Sequence, residues 1–341
     1  MRKVEKGKAY ASAGVDIDLG NRVKKGLQAR VRTTFGPEVL GRIGGFGGLF
    51  KADFKGIKEP VLVSSIDGVG TKLKIAIALG KHATVAQDLV NHCINDIAVT
   101  GARPLFFLDY IGAERLDPVV FDQLIFGFTK ACKEGHCALI GGETAQLPDL
   151  YRSGEYDLAG CIIGVVERTR LLDGSRIVPS DLLIGLPSNG LHTNGYTLAR
   201  KVLLDKMQLD LLQKVDGLAK PLGDELLRVH RNYQAVMASI PLGQIKGAAH
   251  ITGGGLIDNL PRILPAACDA LVNTSSWTVP PIFRLIQRGG DISREEMYQV
   301  FNMGIGMVLV VSKLHASGVL LQTKGKVIGQ ITAGSGKVCL G

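Results

Sequence analysis

No run of about 18 apolar residues occurs in the 341-residue chain, so no segment is expected to span a membrane. The opening Met1-Arg2-Lys3-Val4-Glu5-Lys6 lacks the apolar stretch of a signal peptide. C-x-x-C is absent, and Cys93, Cys132, Cys137, Cys161, Cys268 and Cys339 are scattered as reduced thiols would be, which points to the cytoplasm. Aromatic residues are only 6% and form no stacking motif, and no basic run of five interrupts the sequence. The net charge of +9 is therefore read as a diffuse field for anionic small molecules, with no nucleic acid expected as partner. G-x-x-x-x-G-K-[ST] and G-x-G-x-x-G are missing too, which removes the P-loop and the Rossmann fingerprint. Ala333-Gly-Ser-Gly-Lys337 imitates a P-loop but lacks its first Gly and its Ser/Thr, and reads as a turn.

Glycine is abundant, at 44 residues, and clustered at 44–48, 68–70, 141–142 and 253–255, where backbone could approach a ligand closely. Apolar β-branched runs predict strands at 61–66, 104–111, 137–141, 156–167, 182–187, 245–251, 305–312 and 326–331. Between them the pattern predicts helices near 72–80, 84–100, 117–134, from about 194, and over a long stretch at 221–240. The gap between the last two strands looks short for a full helix, so that element is expected to be trimmed. Turn signals at 168–181 divide the chain into an N-terminal domain, 1–170, and a C-terminal α/β domain, 175–341. In the helix at 84–100 the apolar pairs Val85/Ala86, Leu89/Val90, Cys93/Ile94 and Ile97/Ala98 recur every four residues. So do the polar pairs Gln87/Asp88, Asn91/His92 and Asn95/Asp96, with no Lys or Glu among them. That composition suits a lined cleft better than a solvated face.

Asp67-Gly68-Val69-Gly70-Thr71-Lys72, between a strand and a helix, can turn backbone N–H groups toward phosphate. Lys72 adds a point charge there, and Asp67 can hold a hard cation together with Asp96. Both have a plain alternative: a tight turn with a surface Lys, and a helical Asn95-Asp96 bonding nearby backbone. His192, in Ser188-Asn-Gly-Leu-His192-Thr193-Asn194-Gly-Tyr196, sits in a polar glycine-bracketed turn where an imidazole could meet a ligand. Gly141-Gly-Glu143-Thr-Ala145 at a strand end and His250-Ile-Thr-Gly-Gly-Gly255 are further candidate loops.

Taken together these strings resemble the aminoimidazole ribonucleotide synthetase (phosphoribosylformylglycinamidine cyclo-ligase) family. The likeness rests also on Tyr10-x-x-Ala13-Gly14-Val15-Asp16, Ile43-Gly44-Gly45-Phe46-Gly47-Gly48, Pro104-Leu-Phe-Phe-Leu-Asp-Tyr110, Tyr156-Asp-Leu-Ala-Gly160, Ser275-Ser-Trp277 and Phe301-Asn302-x-Gly304-x-Gly306. They stand in the family's order over about residues 10–311. The resemblance implies an α/β (α+β) fold whose N-terminal domain is ferredoxin-like and pairs in a homodimer barrel. It implies ATP and Mg²⁺ acting on formylglycinamidine ribonucleotide, with Asp67 and Asp96 as metal ligands and Asp67–Lys72, Asn95 and Glu143 at ATP. It further implies Gly45, Gly47, His192, Thr193 and Asn194 at the substrate, and His192, Lys72 and Asp96 in catalysis. The family has small or apolar residues where this chain has Asn91 and His92, so His92 reads as local variation and not as a ligand. A family lysine implicated at ATP falls close to Gln28 in this chain, with Lys24 and Lys25 nearby. Relatives fit less well: a selenophosphate synthetase needs a reactive Cys at 44–48, a hydrogenase-maturation dehydratase a C-terminal one, and thiamine-phosphate kinase lacks the Gly190–Tyr196 string.

Overall fold

The computed structural model describes Gly14, Val15 and residues 17–341. Tyr10, Ala13 and Asp16 of the family strings lie outside the described residues, as do the side chains of Lys24 and Lys25. The first half carries α1 (Ile17–Arg32), β1 (Pro60–Gly68), α2 (Leu73–Leu79), α3 (Ala83–Ala98), β2 (Arg103–Ala113), α4 (Pro118–Glu134), β3 (Ala138–Gln146) and β4 (Tyr156–Glu167). Its strands form one sheet in the order β1-β4-β2-β3, in which only β2 and β3 run parallel. α4 starts where Asp117 accepts from the Val119 and Val120 N–H groups, with Pro118 in the first turn. α3 and α4 pack together on one face of the sheet through Leu89, Cys93, Ile97, Phe107 and Phe128, all fully buried.

The second half is a six-stranded sheet in the order β10-β7-β9-β5-β8-β6, parallel only between β10 and β7. Its strands are β5 (Leu182–Pro187), β6 (Ile245–His250), β7 (Cys268–Val272), β8 (Ile305–Val311), β9 (Lys326–Ala333) and β10 (Val338–Leu340). The central β8 is buried along its whole length, in keeping with its unbroken apolar sequence.

Two expectations about elements fail. The stretch at 221–240 holds only the short helices α5 (Leu222–Leu226) and α6 (Gln234–Ala238), with residues 228–233 running as coil between them. That coil finds its backbone partners outside itself, on α3, as shown below. The supposedly trimmed element is a full helix, α7 (Lys313–Thr323), closed by Lys324 in the left-handed region at φ 54°. The 14 residues between β8 and β9, 312–325, were enough, because one helical residue rises only ~1.5 Å.

Candidate active site

The polar face of α3 does not line an open cleft; it docks on the coil at 228–233. Asp88 Oδ1 accepts from the His230 N–H at 2.6 Å, and Asn91 Nδ2 donates to the His230 carbonyl at 2.8 Å. Asn95 Nδ2 donates to the Arg231 carbonyl and its Oδ1 accepts from the Tyr233 N–H, each at 2.8 Å. Three side chains of one helix thus pair the backbone of a segment that has no strand beside it. Asn95 is fully buried with both ends of its amide engaged, so the expected contact between Asn95 and phosphate is corrected: this amide holds the two halves together.

Lys72 needs the same correction. It is fully buried, forms an ion pair with Asp88 Oδ2 at 2.8 Å, and donates to the His192 and Arg228 carbonyls at 2.9 and 2.8 Å. An ammonium has three N–H donors, and all three are used. Burial by itself pulls the Lys72 ammonium toward neutrality and the Asp88 carboxyl likewise, while each partner's charge opposes that. Because two carbonyls also prefer the ammonium, the pair is charged and structural. The rest of the 67–72 loop keeps its expected turn: Asp67 Oδ1 accepts from the Gly68 N–H at 2.6 Å, and Gly70 takes φ 71°. Val69 is buried, and Thr71 Oγ1 meets Thr197 Oγ1 of the second half at 2.9 Å.

Asp67 and Asp96 come together at the rim. Asp67 ends β1 on the sheet face that carries α3, and Ser65, two residues earlier on that face, donates to Asp96 Oδ2 at 3.0 Å. Their side chains keep 42% and 26% of their exposure, unlike Asp88 with none. His92 stands between them, its Nε2 at 2.8 Å from Asp67 Oδ2 and 3.7 Å from Asp96 Oδ2. His250, at the end of β6, places Nδ1 2.8 Å from Asp96 Oδ1. Burial works against ionised carboxyls here, but the neighbouring His92 and His250 hold both Asp67 and Asp96 below the ordinary carboxylate range. Burial likewise opposes a charged His92, yet its bond to Asp67 and the charge of Asp96 push it above the usual imidazole value. Reading His92 as mere local variation therefore misses a central residue. His230, which the sequence reading also passed over, contacts His250 ring to ring at 3.0 Å between Nε2 atoms. A lone histidine in coil carries no signal by which to find it.

His192 is brought to the Asp67–Lys72 loop, but through its carbonyl. Its ring is buried, stacked on His230 at 4.0 Å, with Nε2 accepting from the Asn189 N–H at 3.4 Å. Burial, reinforced by His250 and Lys72, drives its pKa well below the imidazole norm, so the ring is neutral. Gly306 makes the space: a Cβ there would lie 2.6 Å from His192 Cε1. The expectation of an imidazole open to a cleft is corrected, since His230 and His92 intervene between it and Asp67. Thr193 Oγ1 bridges His92 Nδ1 and His230 Nδ1 at 2.8 and 3.3 Å. Asn194 sits against Gly253. Glu143 shares its sheet face with Tyr110, Ala159 and Gly68, the face opposite to that of Asp67, so it is not gathered with the carboxylate pair. Gly45 and Gly47 stand in an exposed loop whose Gly48 packs on Ile140 of β3, on the far side of the sheet from β1. A cavity of about 750 Å³ lined by Lys55, Ala98, Arg103, Glu167, Arg176 and Met237, among others, contains none of these residues, so volume alone does not find the site.

The two α/β halves that meet at this junction are shared with known proteins. The family models of AIR synthase related protein match twice, the N-terminal domain over residues 55–166 and the C-terminal domain over 178–340. The chain is 48% identical over 338 residues to phosphoribosylformylglycinamidine cyclo-ligase of Citrifermentans bemidjiense, covering 97% of each. It is 50% identical over 328 residues to the protein of that name from Geotalea daltonii, covering 94% of each. Among solved structures, hydrogenase maturation protein HypE in complex with ATP superposes with a TM-score of 0.67 at 17% identity, over 96% of this chain and 93% of that one. Thiamine-monophosphate kinase from Stenotrophomonas maltophilia gives 0.65 at 19%, over 92% and 95%. Those two likenesses establish the fold, and the identities of about one residue in two establish more: the chain belongs to the AIR synthase related family and, within it, to the phosphoribosylformylglycinamidine cyclo-ligases.

Proposed function

We propose that the chain closes the imidazole ring of formylglycinamidine ribonucleotide, consuming ATP and giving aminoimidazole ribonucleotide, ADP and phosphate. The observation that carries this is identity of 48–50% along nearly the whole chain to relatives of that name. An amide oxygen is a poor leaving group. Transfer of the γ-phosphoryl group to the formyl oxygen makes it a good one; an amidine nitrogen then attacks that carbon, and phosphate departs. Such transfer needs positioning and charge neutralisation above all.

Asp67 and Asp96 are the residues that fit a divalent cation: two ionised, half-open carboxylates fixed by Gly68 N–H and Ser65 Oγ. Mg²⁺ bound there would neutralise phosphate charge. Val69 and Lys72 fix the loop from beneath, so Lys72 is a positioning residue and not a phosphate contact. Gly68, Gly70 and Thr71 leave backbone and hydroxyl groups near the carboxylates. Thr193 and Asn194, on the second half, are the proposed substrate side, with His192 holding that turn in shape. Incubation with ATP, Mg²⁺ and formylglycinamidine ribonucleotide should give ADP and the aminoimidazole product one for one. Turnover on thiamine phosphate, with none on the purine precursor, would overturn the reading.

The protein is proposed to act in the cytoplasm as a homodimer, with domains at 1–170 and 175–341. No helix among the described residues is long and apolar enough to cross a membrane. The sheet face opposite α3 carries Leu62 and Ile66, 63% and 73% exposed, beside the half-buried Phe106, Leu108 and Ile163. An apolar sheet face left open in a single chain is what a second copy would cover. Light scattering at micromolar concentration should give twice the 36.4 kDa chain mass; a fully active monomer would contradict this. The positive charge serves phosphorylated small molecules, and tight binding of duplex DNA at physiological salt would contradict that.

A further inference from the structure

The histidines behind Asp67 and Asp96 form one continuous chain of contacts. Asp67 Oδ2 meets His92 Nε2 at 2.8 Å, and His92 Nδ1 meets Thr193 Oγ1 at 2.8 Å. Thr193 Oγ1 meets His230 Nδ1 at 3.3 Å, His230 Nε2 meets His250 Nε2 at 3.0 Å, and His250 Nδ1 meets Asp96 Oδ1 at 2.8 Å. Each of these five contacts needs a hydrogen between its two heavy atoms. Three neutral imidazoles and one hydroxyl supply four, and ionised carboxylates supply none. With neutral rings, one contact must set lone pair against lone pair, which a buried cluster does not tolerate without a cation.

One added proton completes the set; a metal ion at the carboxylate end does so too, and the ligand atoms there are spaced for one. His92, Asp96 and His250 each offer a donor atom, and these atoms all lie within 4.8 Å of one another. Tetrahedral ligands held at 2.0–2.2 Å stand about 3.4 Å apart; the ring-to-carboxylate separations of 2.8–3.7 Å bracket that spacing. Each ligating ring then keeps its remaining N–H on a fixed acceptor, His92 on Thr193 and His250 on His230, as metal-bound histidines do. Asp67 supplies a further oxygen beside His92, and two carboxylates balance a doubly charged ion in the buried setting of these rings.

We infer that this chain carries a resident divalent transition-metal ion of the zinc class, held by His92, Asp96 and His250 with Asp67 completing the set. Imidazole selects such ions, whereas Mg²⁺ takes oxygen ligands. The inference rests on this cluster's geometry; it shares Asp67 and Asp96 with the proposed ATP site and leaves their other lone pairs to the Mg²⁺ that accompanies ATP. His92 and His250 are the residues that make the cluster more than a carboxylate pair.

The test uses the full chain, stripped of metal and without nucleotide, titrated with Co²⁺, Zn²⁺ and Mg²⁺ by calorimetry and, for Co²⁺, by visible absorption. One equivalent of Co²⁺ or Zn²⁺ per chain should bind about 100-fold or more tighter than Mg²⁺, with the d–d bands of a four- or five-coordinate site. His92→Ala and His250→Ala should each weaken binding by roughly 10-fold or more, and His136→Ala, an exposed histidine elsewhere, should leave it unchanged. Co²⁺ held no more tightly than Mg²⁺, or bound equally by folded His92→Ala, would overturn the inference, and the wild-type affinities decide it even if both variants unfold. Ring closure in Mg²⁺ by a protein that binds no transition ion would leave the cyclo-ligase reading standing and remove this one.

Discussion

Asp88 and Asp96 lie two turns apart on the same face of α3, and the fold uses them in opposite ways. Asp88 has no exposure and is committed to Lys72 Nζ and the His230 N–H. Asp96 keeps a quarter of its exposure and faces Ser65, His92 and His250 at the rim. What differs is cover. The coil at 228–233 lies across the helix at Asp88, Asn91 and Asn95 and leaves Asp96 at the edge. One carboxylate therefore fastens the halves, and the other stays partly open at the rim between them.

Breaking the fastening end should have the largest effect on stability. Lys72→Met removes the cation and leaves Asp88 buried without its partner, which should cost about 3–5 kcal/mol in urea unfolding. A loss under about 1 kcal/mol would show that the pair is not structural. Asn95→Ala should cost less, about 1–3 kcal/mol, because it strands the Arg231 carbonyl and the Tyr233 N–H. That variant should also let residues 228–233 exchange amide hydrogens faster than the core of β8; unchanged exchange would mean the coil is held by something else.

The same comparison shows what could be seen in the sequence. The four-residue recurrence along 84–98 identifies the helix and both its faces, and the β-branched runs identify β1, β5 and β8. The recurrence does not say what covers the polar face, because its partner lies about 140 residues downstream in a segment that reads as helix. Asn and Asp are the side chains that satisfy the backbone of an extended coil, and they are also the side chains that line a phosphate site. Residue type alone cannot separate these uses. Lys72 illustrates the point: a lysine after two glycines reads as a phosphate ligand, yet here it meets two carbonyls and Asp88. His192 is drawn in with it, and its ring stacks within the junction. His92 fails in the other direction, discounted because it departs from the family and then found between the two carboxylates.

The most direct measurement sets rate against stability for the working end of the helix. Asp96→Asn keeps the side-chain volume and removes the charge, so the urea midpoint should stay close to the parent value. The rate of aminoimidazole formation from ATP and formylglycinamidine ribonucleotide should fall about 10²–10³-fold, a loss of about 3–4 kcal/mol of transition-state stabilisation. Near-parental turnover in a folded Asp96→Asn protein would contradict the division between Asp88 and Asp96, and with it the placement of the active site.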